Sequence, residues 1–142
     1  MLISSRGQYA IRILLDLAIH ENGSAINVKT IAERQELSEK YMEQILSVLQ
    51  KAGFVVSTRG YHGGYHLTQK PENYTIGKIR RTLDGPLIPA TQQEDIQERP
   101  VELVVKELWG NLQTQIEQTL DSVTLLDLMN SYNDKICFSY SI

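Results

Sequence analysis

Residues 31–67 read IAERQELSEKYMEQILSVLQKAGFVVSTRGYHGGYHL. Val28, Ile31 and Ala32 share one face of a short helix for which Asn27 is a suitable N-cap. The turn Gln35-Glu36-Leu37 then delivers Ser38, a second N-cap, and a helix running to about Lys51. Its inner stripe is Tyr41 or Met42, then Ile45, Leu46, Leu49 and Ala52, and Gly53 stands where a left-handed residue must close the helix. Phe54-Val55-Val56 and Tyr65-His66-Leu67 are β-prone runs around a tip holding Arg59, Gly60, His62, Gly63 and Gly64, which predicts a hairpin. Two helices followed by a hairpin with a cation at its tip make a helix-turn-helix with a basic β-wing.

The flanking sequence completes that plan. Ala10, Ile13, Leu14, Leu17 and Ala18 recur at spacings of three and four, predicting a first helix over about 7–20 that Asn22-Gly23 stops. Thr75 caps a further helix from Ile76 to about Leu83, ended by Gly85-Pro86. Residues 86–100 are polar and irregular, a linker. Val101, Val105, Leu108, Leu112, Ile116, Leu120 and Val123 then mark a long helix to Ser122. At ~1.5 Å per residue it is about 33 Å long, more than a winged-helix core needs. Such a stripe packs on a second copy of itself or folds back on its own core. The apolar run Leu125–Met129 reads as a short helix closing the interface. The expected fold is mainly α with a small β-wing: a winged helix over 1–85, the linker, and a dimerisation helix with its tail over 101–142.

Composition narrows the function. The chain has 142 residues, 42% of them hydrophobic, enough for a real core. No apolar stretch approaches the roughly 20 residues that span a bilayer, and the first residues show no secretory leader pattern. A single cysteine, Cys137, excludes an internal disulfide and any multi-thiolate site within one chain. These features predict a soluble, cytoplasmic protein. Residues 1–83 carry 11 Lys and Arg against 7 Asp and Glu, net +4, while residues 84–142 carry 3 against 10, net −7. That asymmetry suits one polyanion-facing region and one facing a partner or solvent, although small domains also scatter charge by chance. No Ser/His/Asp arrangement, phosphate-binding Gly loop or paired carboxylates point to an enzyme.

A helix-turn-helix places the start of its second helix in the major groove of DNA. Here that region offers Ser38, Lys40, Tyr41, Glu43 and Gln44. Glu43 can accept from cytosine N4, Gln44 can pair with adenine, and Lys40 can reach guanine or a phosphate. An exposed helix face is polar in any case, and Ser38 can be merely a cap. Arg59 on its Gly turn, with Gly60 and His62 beside it, suits a narrow A·T minor groove, whereas Gly63-Gly64 also serves simple hairpin geometry. Tyr9, with Arg6 and Ser4 or Ser5, is either a phosphate contact or a rim aromatic.

The segments ISSRGQYAIRILLDLA, residues 31–67 and TIGKIRRTLDGPL closely resemble the Rrf2 family of bacterial transcription regulators, with L-S-x-x-Y-x-E-Q-I-L and R-G-x-x-G-G-Y as the specific signature. The resemblance implies a winged-helix homodimer on a palindromic operator. In that scheme Tyr41, Glu43 and Gln44 lie on the recognition helix, Arg59 on the wing tip and Tyr9 at a phosphate. Many members of the family hold an iron–sulfur cluster through three cysteines after the Asp-Gly-Pro turn. This chain has PLIPATQQEDIQERPVELVVKE there, without Cys or His, so no cofactor is expected. Lys106-Glu107-Leu108-Trp109, Thr124-Leu125-Leu126-Asp127-Leu128 and the tail Phe138–Ile142 resemble the cluster-free cysteine-metabolism repressors, which implies cysteine synthase as a protein partner. Three alternatives stay open: a small molecule bound among Trp109, Tyr132 and Tyr74, redox gating through Cys137, and a protein-interaction module without DNA.

Overall fold

Ala10, Ile13, Leu14, Leu17 and Ala18 are buried along one side of α1 (Ser5–Ile19), and the core forms around them. The computed structural model describes residues 3–87 and 99–140. Ser4 caps α1, its hydroxyl accepting the Gly7 N–H at 3.0 Å, so the helix begins ahead of its first apolar residue. In α2 (Val28–Gln35), Asn27 is the cap and accepts the Lys29 N–H at 2.7 Å, while Ile31 and Ala32 enter the core. The chain then turns through Glu36, whose φ of 55° is left-handed, into α3 (Glu39–Lys51). Here Met42, Ile45, Leu46 and Leu49 are buried and Tyr41 is half-buried. Ala52, expected on the inner stripe, is exposed because the helix ends there and Gly53 leaves it with φ of 81°.

β1 (Val55–Thr58) and β2 (Gly64–Leu67) form the antiparallel wing, with Val55 opposite Leu67 and Thr58 opposite Gly64. Ile26, in the loop before α2, bridges Tyr65 by reciprocal backbone bonds of 3.0 and 2.9 Å. A Cβ on Gly64 would sit 2.2 Å from the Ile26 carbonyl oxygen, so only glycine allows this approach. A 3₁₀ turn (Pro71–Asn73) leads to α4 (Ile76–Asp84), capped by Thr75. α5 (Pro100–Ser122) and α6 (Leu125–Tyr140) follow. Between them the Ile76 N–H donates to the Val123 carbonyl and the Leu125 N–H to that of Tyr74, each at 2.9 Å.

Two expectations about the C-terminal part change. The segment after Val123 is a full helix to Tyr140, not a short one over Leu125–Met129. Thr124 and Asp127 cap its start reciprocally, at 2.8 and 3.2 Å, and no Gly or Pro interrupts residues 125–140. It also packs inward: Leu125 is fully buried, and Leu128 and Met129 lie against the winged-helix core. The α5 stripe divides. Leu120 and Val123 fold back onto the core and Ile116 is half-buried, whereas Val101 (74% exposed), Val105, Leu108 (58%) and Leu112 (46%) are uncovered.

Tyr74 joins the wing to this body. It is 1% exposed; its hydroxyl donates to the Phe54 carbonyl at 2.6 Å and accepts the N–H groups of Thr68 (3.0 Å) and Gln69 (3.2 Å). Tyr74→Phe should keep the fold and cost about 1–3 kcal/mol, because buried backbone groups lose a partner. The expected reading is a lower denaturant midpoint at unchanged m-value.

Candidate nucleic-acid interface

The first two turns of α3 carry Lys40, Glu43 and Gln44 on the side away from the buried stripe. All three are exposed, and among the described residues none makes a hydrogen bond or ion pair that would hold it back from a ligand. Ser38 is different. Its hydroxyl oxygen accepts the Tyr41 N–H at 3.2 Å, so the cap function accounts for this residue.

Tyr9 and Tyr41, far apart in sequence, meet edge-to-face with ring centroids 5.9 Å apart at 89°. The Arg12 guanidinium lies 5.1 Å from the Tyr9 ring centroid and donates to Gln35 Oε1 at 3.0 Å and to the Gln35 carbonyl at 3.3 Å. The start of α1, the end of α2 and the start of α3 are thus locked together. Ser5, Gln8, Tyr9 and Arg12 line a shallow depression of about 110 Å³, a surface rich in donors for phosphate oxygens.

The wing tip stands apart from this cluster. The Gly63 N–H donates to the Gly60 carbonyl at 2.9 Å and closes the turn, leaving Arg59, Gly60, Tyr61 and His62 exposed. Arg59 has no partner among the described residues. Tyr61, not singled out from the sequence, is 95% exposed and stacks edge-on against His62 at 4.9 Å. Its signal was present: an aromatic inside the Arg-Gly-x-x-Gly-Gly turn has no core to enter.

A second group escaped the sequence reading. Asp16 is buried, and its carboxylate accepts from Arg34 Nε (2.9 Å) and Nη2 (2.7 Å) and from Gln35 Nε2 (2.9 Å). The Arg34 guanidinium is held above its usual range, chiefly by this hydrogen bond to Asp16. The hint was a charged residue beside the buried positions of α1, between Leu14 and Leu17.

The donor set does not fit an iron–sulfur cluster. Cys137 is exposed on α6 and is the chain's only thiol. His20 lies at the end of α1 with Nδ1 2.9 Å from the Asp16 carbonyl, and His62 and His66 belong to the wing. No group of three His, Cys, Asp or Glu among the described residues could hold a metal ion. Residues 88–98, most of the segment expected as the linker, lie outside the described residues. The small-molecule alternative loses Tyr74, which is sealed in the core with its hydroxyl committed. No helix among the described residues is long and apolar enough to cross a membrane.

Comparison with known proteins agrees with this geometry. The family described as Rrf2, iron-dependent transcriptional regulator, matches residues 3–131. The chain is 41% identical over 134 residues to the HTH-type transcriptional regulator CymR of Bacillus subtilis, covering 94% of this chain and 93% of that one. It resembles the solved structure of CymR (YrzC), the global cysteine regulator of B. subtilis, with a TM-score of 0.78 and 39% identity over 91% of this chain and 96% of that one. Staphylococcus aureus CymR is similar at a TM-score of 0.71 and 34% identity, over 89% and 96% of the two chains. The chain belongs to the Rrf2 family of helix-turn-helix transcriptional regulators, DNA-binding proteins and not enzymes.

Proposed function

We propose that the protein is a homodimeric repressor that binds a palindromic operator and controls genes of cysteine metabolism. The observation that carries the DNA contact is the exposed face of Lys40, Glu43 and Gln44, joined to a wing tip whose Arg59 has no partner among the described residues. In this reading α3 reads base edges in the major groove, Arg59 enters the minor groove, and the start of α1 with Tyr9 holds phosphates. Ser38 sets the position of α3, and Gly60 and His62 shape the tip around Arg59.

Dimerisation is supported by Val105, Leu108 and Leu112, which together with Val101, Val104 and Trp109 leave an apolar surface on α5 in contact with water. Ile116 and Leu120 continue that stripe into the chain's own core. A second copy of α5 is the natural cover, since isologous contacts pair like stripes. The cysteine regulon is supported by the 41% identity to CymR and by a donor set without cluster ligands. Cysteine synthase is the partner that the cluster-free resemblance implies, and the acidic sequence of residues 84–142, net −7, suits docking of a protein partner.

Selection of duplexes from a random pool tests the core of the proposal. It should return a palindrome bound at a Kd of about 10⁻⁸–10⁻¹⁰ M at physiological salt; weak binding blind to sequence would overturn it. Arg59→Ala should weaken that operator by about 1–3 kcal/mol with an unchanged melting temperature. Glu43→Ala should relax base preference more than it lowers non-specific affinity, because glutamate does not attract phosphate.

Changing Leu108 and Leu112 together to Lys should give a folded monomer in sedimentation, with operator affinity reduced by orders of magnitude as the linked half-site contacts are lost. A double variant that stays dimeric places the interface elsewhere.

The protein purified without oxygen should be colourless and free of stoichiometric iron. Added cysteine synthase should change operator affinity, and DNA should change enzyme binding by the same factor. Operator affinity indifferent to that enzyme would remove it as the partner.

A further inference from the structure

The rod formed by α5 meets the winged-helix body at two places. One is its C-terminal end, where the backbone bonds around Val123 and the packing of Leu120 and Val123 attach it to the core. The other lies one to two turns earlier, where α4 presents two arginines. Arg80 is 1% exposed, and its Nη2 donates to Glu117 Oε1 at 3.1 Å and to the Gly85 carbonyl at 3.0 Å. Arg81 donates through Nη1 to Glu117 Oε2 and through Nη2 to Asp121 Oδ1 at 2.8 Å. Glu117 therefore receives two guanidinium groups, and Arg81 spans two carboxylates. The helices approach so closely that a Cβ on Gly77 would lie 1.9 Å from Asp121 Oδ1.

This cluster is poorly explained as a stabilising device. Arg80 Nε is buried and has no hydrogen-bond partner among the described residues, and buried ion pairs rarely outperform a well-packed apolar replacement. Its geometry is more telling. A rod held at one point pivots, and a second point fixes its direction. Val123 to Glu117 is about 9 Å of helix and Glu117 to Pro100 about 26 Å, so slack at the clamp grows about fourfold at the far end. At the C-terminal end of α4, one turn beyond Arg80 and Arg81, Asp84 accepts the Ser4 N–H at 2.9 Å and the Ser4 hydroxyl, tying α4 to the cap of α1 beside Arg6 and Tyr9. The clamp thus stands between the uncovered stripe of α5 and the surface offered to phosphates.

We infer that the Arg80–Arg81–Glu117–Asp121 cluster positions the DNA-reading body on the dimer helix and so sets the half-site spacing that this regulator accepts. The inference rests on the proposed α5 dimer. One base pair inserted between half-sites moves them by about 3.4 Å and turns them by about 35°. A stiff joint rejects that change and a loosened one absorbs it.

Arg81 and Asp121 are exposed enough to change without unpairing Arg80 from Glu117. Arg81→Gln and Asp121→Asn, with Arg81→Lys as the conservative variant, should be measured as full chains. Each is titrated with a single half-site duplex, with the selected operator, and with operators one base pair longer or shorter. Both variants should remain dimers with wild-type half-site affinity. They should lose about tenfold at the native spacing and less at altered spacings, because the linked contacts reinforce each other less sharply. Arg81→Lys should fall between. Variants that keep the wild-type spacing profile overturn the inference and leave the dimer reading intact. Equal loss on the single half-site marks a general folding role and also overturns it. Wild type that binds one half-site as tightly as two overturns the dimer reading, and the inference with it.

Discussion

A carboxylate buried at the edge of the core decides how the reading head is oriented. Asp16 would cost several kcal/mol to bury alone, and the chain satisfies it with two prongs of Arg34 and the amide of Gln35. Apolar contacts between α1 and α2 tolerate sliding and rotation, but a two-pronged guanidinium on a carboxylate has one geometry. With α2 fixed, the left-handed Glu36 fixes the exit into α3. Arg12 then closes the ring from α1 through Gln35 to Tyr9 and Tyr41. The angle at which Lys40, Glu43 and Gln44 are presented is therefore set by polar bonds in positions the hydrophobic pattern does not mark.

Charge accounting looks different once the chain is folded. The first 83 residues hold an excess of cations, yet Arg34, Arg80 and Arg81 are all bound to carboxylates. Two of these cations neutralise Glu117 and Asp121 of the acidic half, so part of the asymmetry is an internal joint. Arg59 and Lys40, by contrast, are exposed and bound to no carboxylate among the described residues. The acidic pI of about 5.6 is therefore compatible with a nucleic-acid surface, because local placement outweighs the sum.

What could be read from the sequence was what local physics controls. Ser38, Asn27 and Thr75 announce helix starts because short polar side chains satisfy orphan amides, and Gly53 announces an end because it alone turns left-handed cheaply. The wing followed from two β-prone runs around glycines. Some of the misses were tertiary. Nothing local reveals that Leu120 belongs to its own core while Leu112 does not, since both sit on one stripe. The length of α6 was a different kind of miss, because Leu125, Met129, Tyr132 and Ile136 keep helical spacings of four, three and four, and Thr124 with Asp127 has the form of a capping box. Asp16 was hidden because its partners lie in the next helix, whereas Tyr61 was legible from its place inside a Gly-rich turn.

The bridge between Ile26 and Tyr65 has a consequence for how tightly the wing can bind. Ile26 pairs with β2, and the next residue, Asn27, caps α2, so adjacent residues serve the sheet and the helix-turn-helix. Two-stranded hairpins on their own are marginal in water and sample many shapes. Here a third segment and the Tyr74 hydroxyl hold the strands before any ligand arrives. Association then forfeits little conformational entropy at the hairpin, and contacts made by four exposed residues at its tip can be felt directly as affinity.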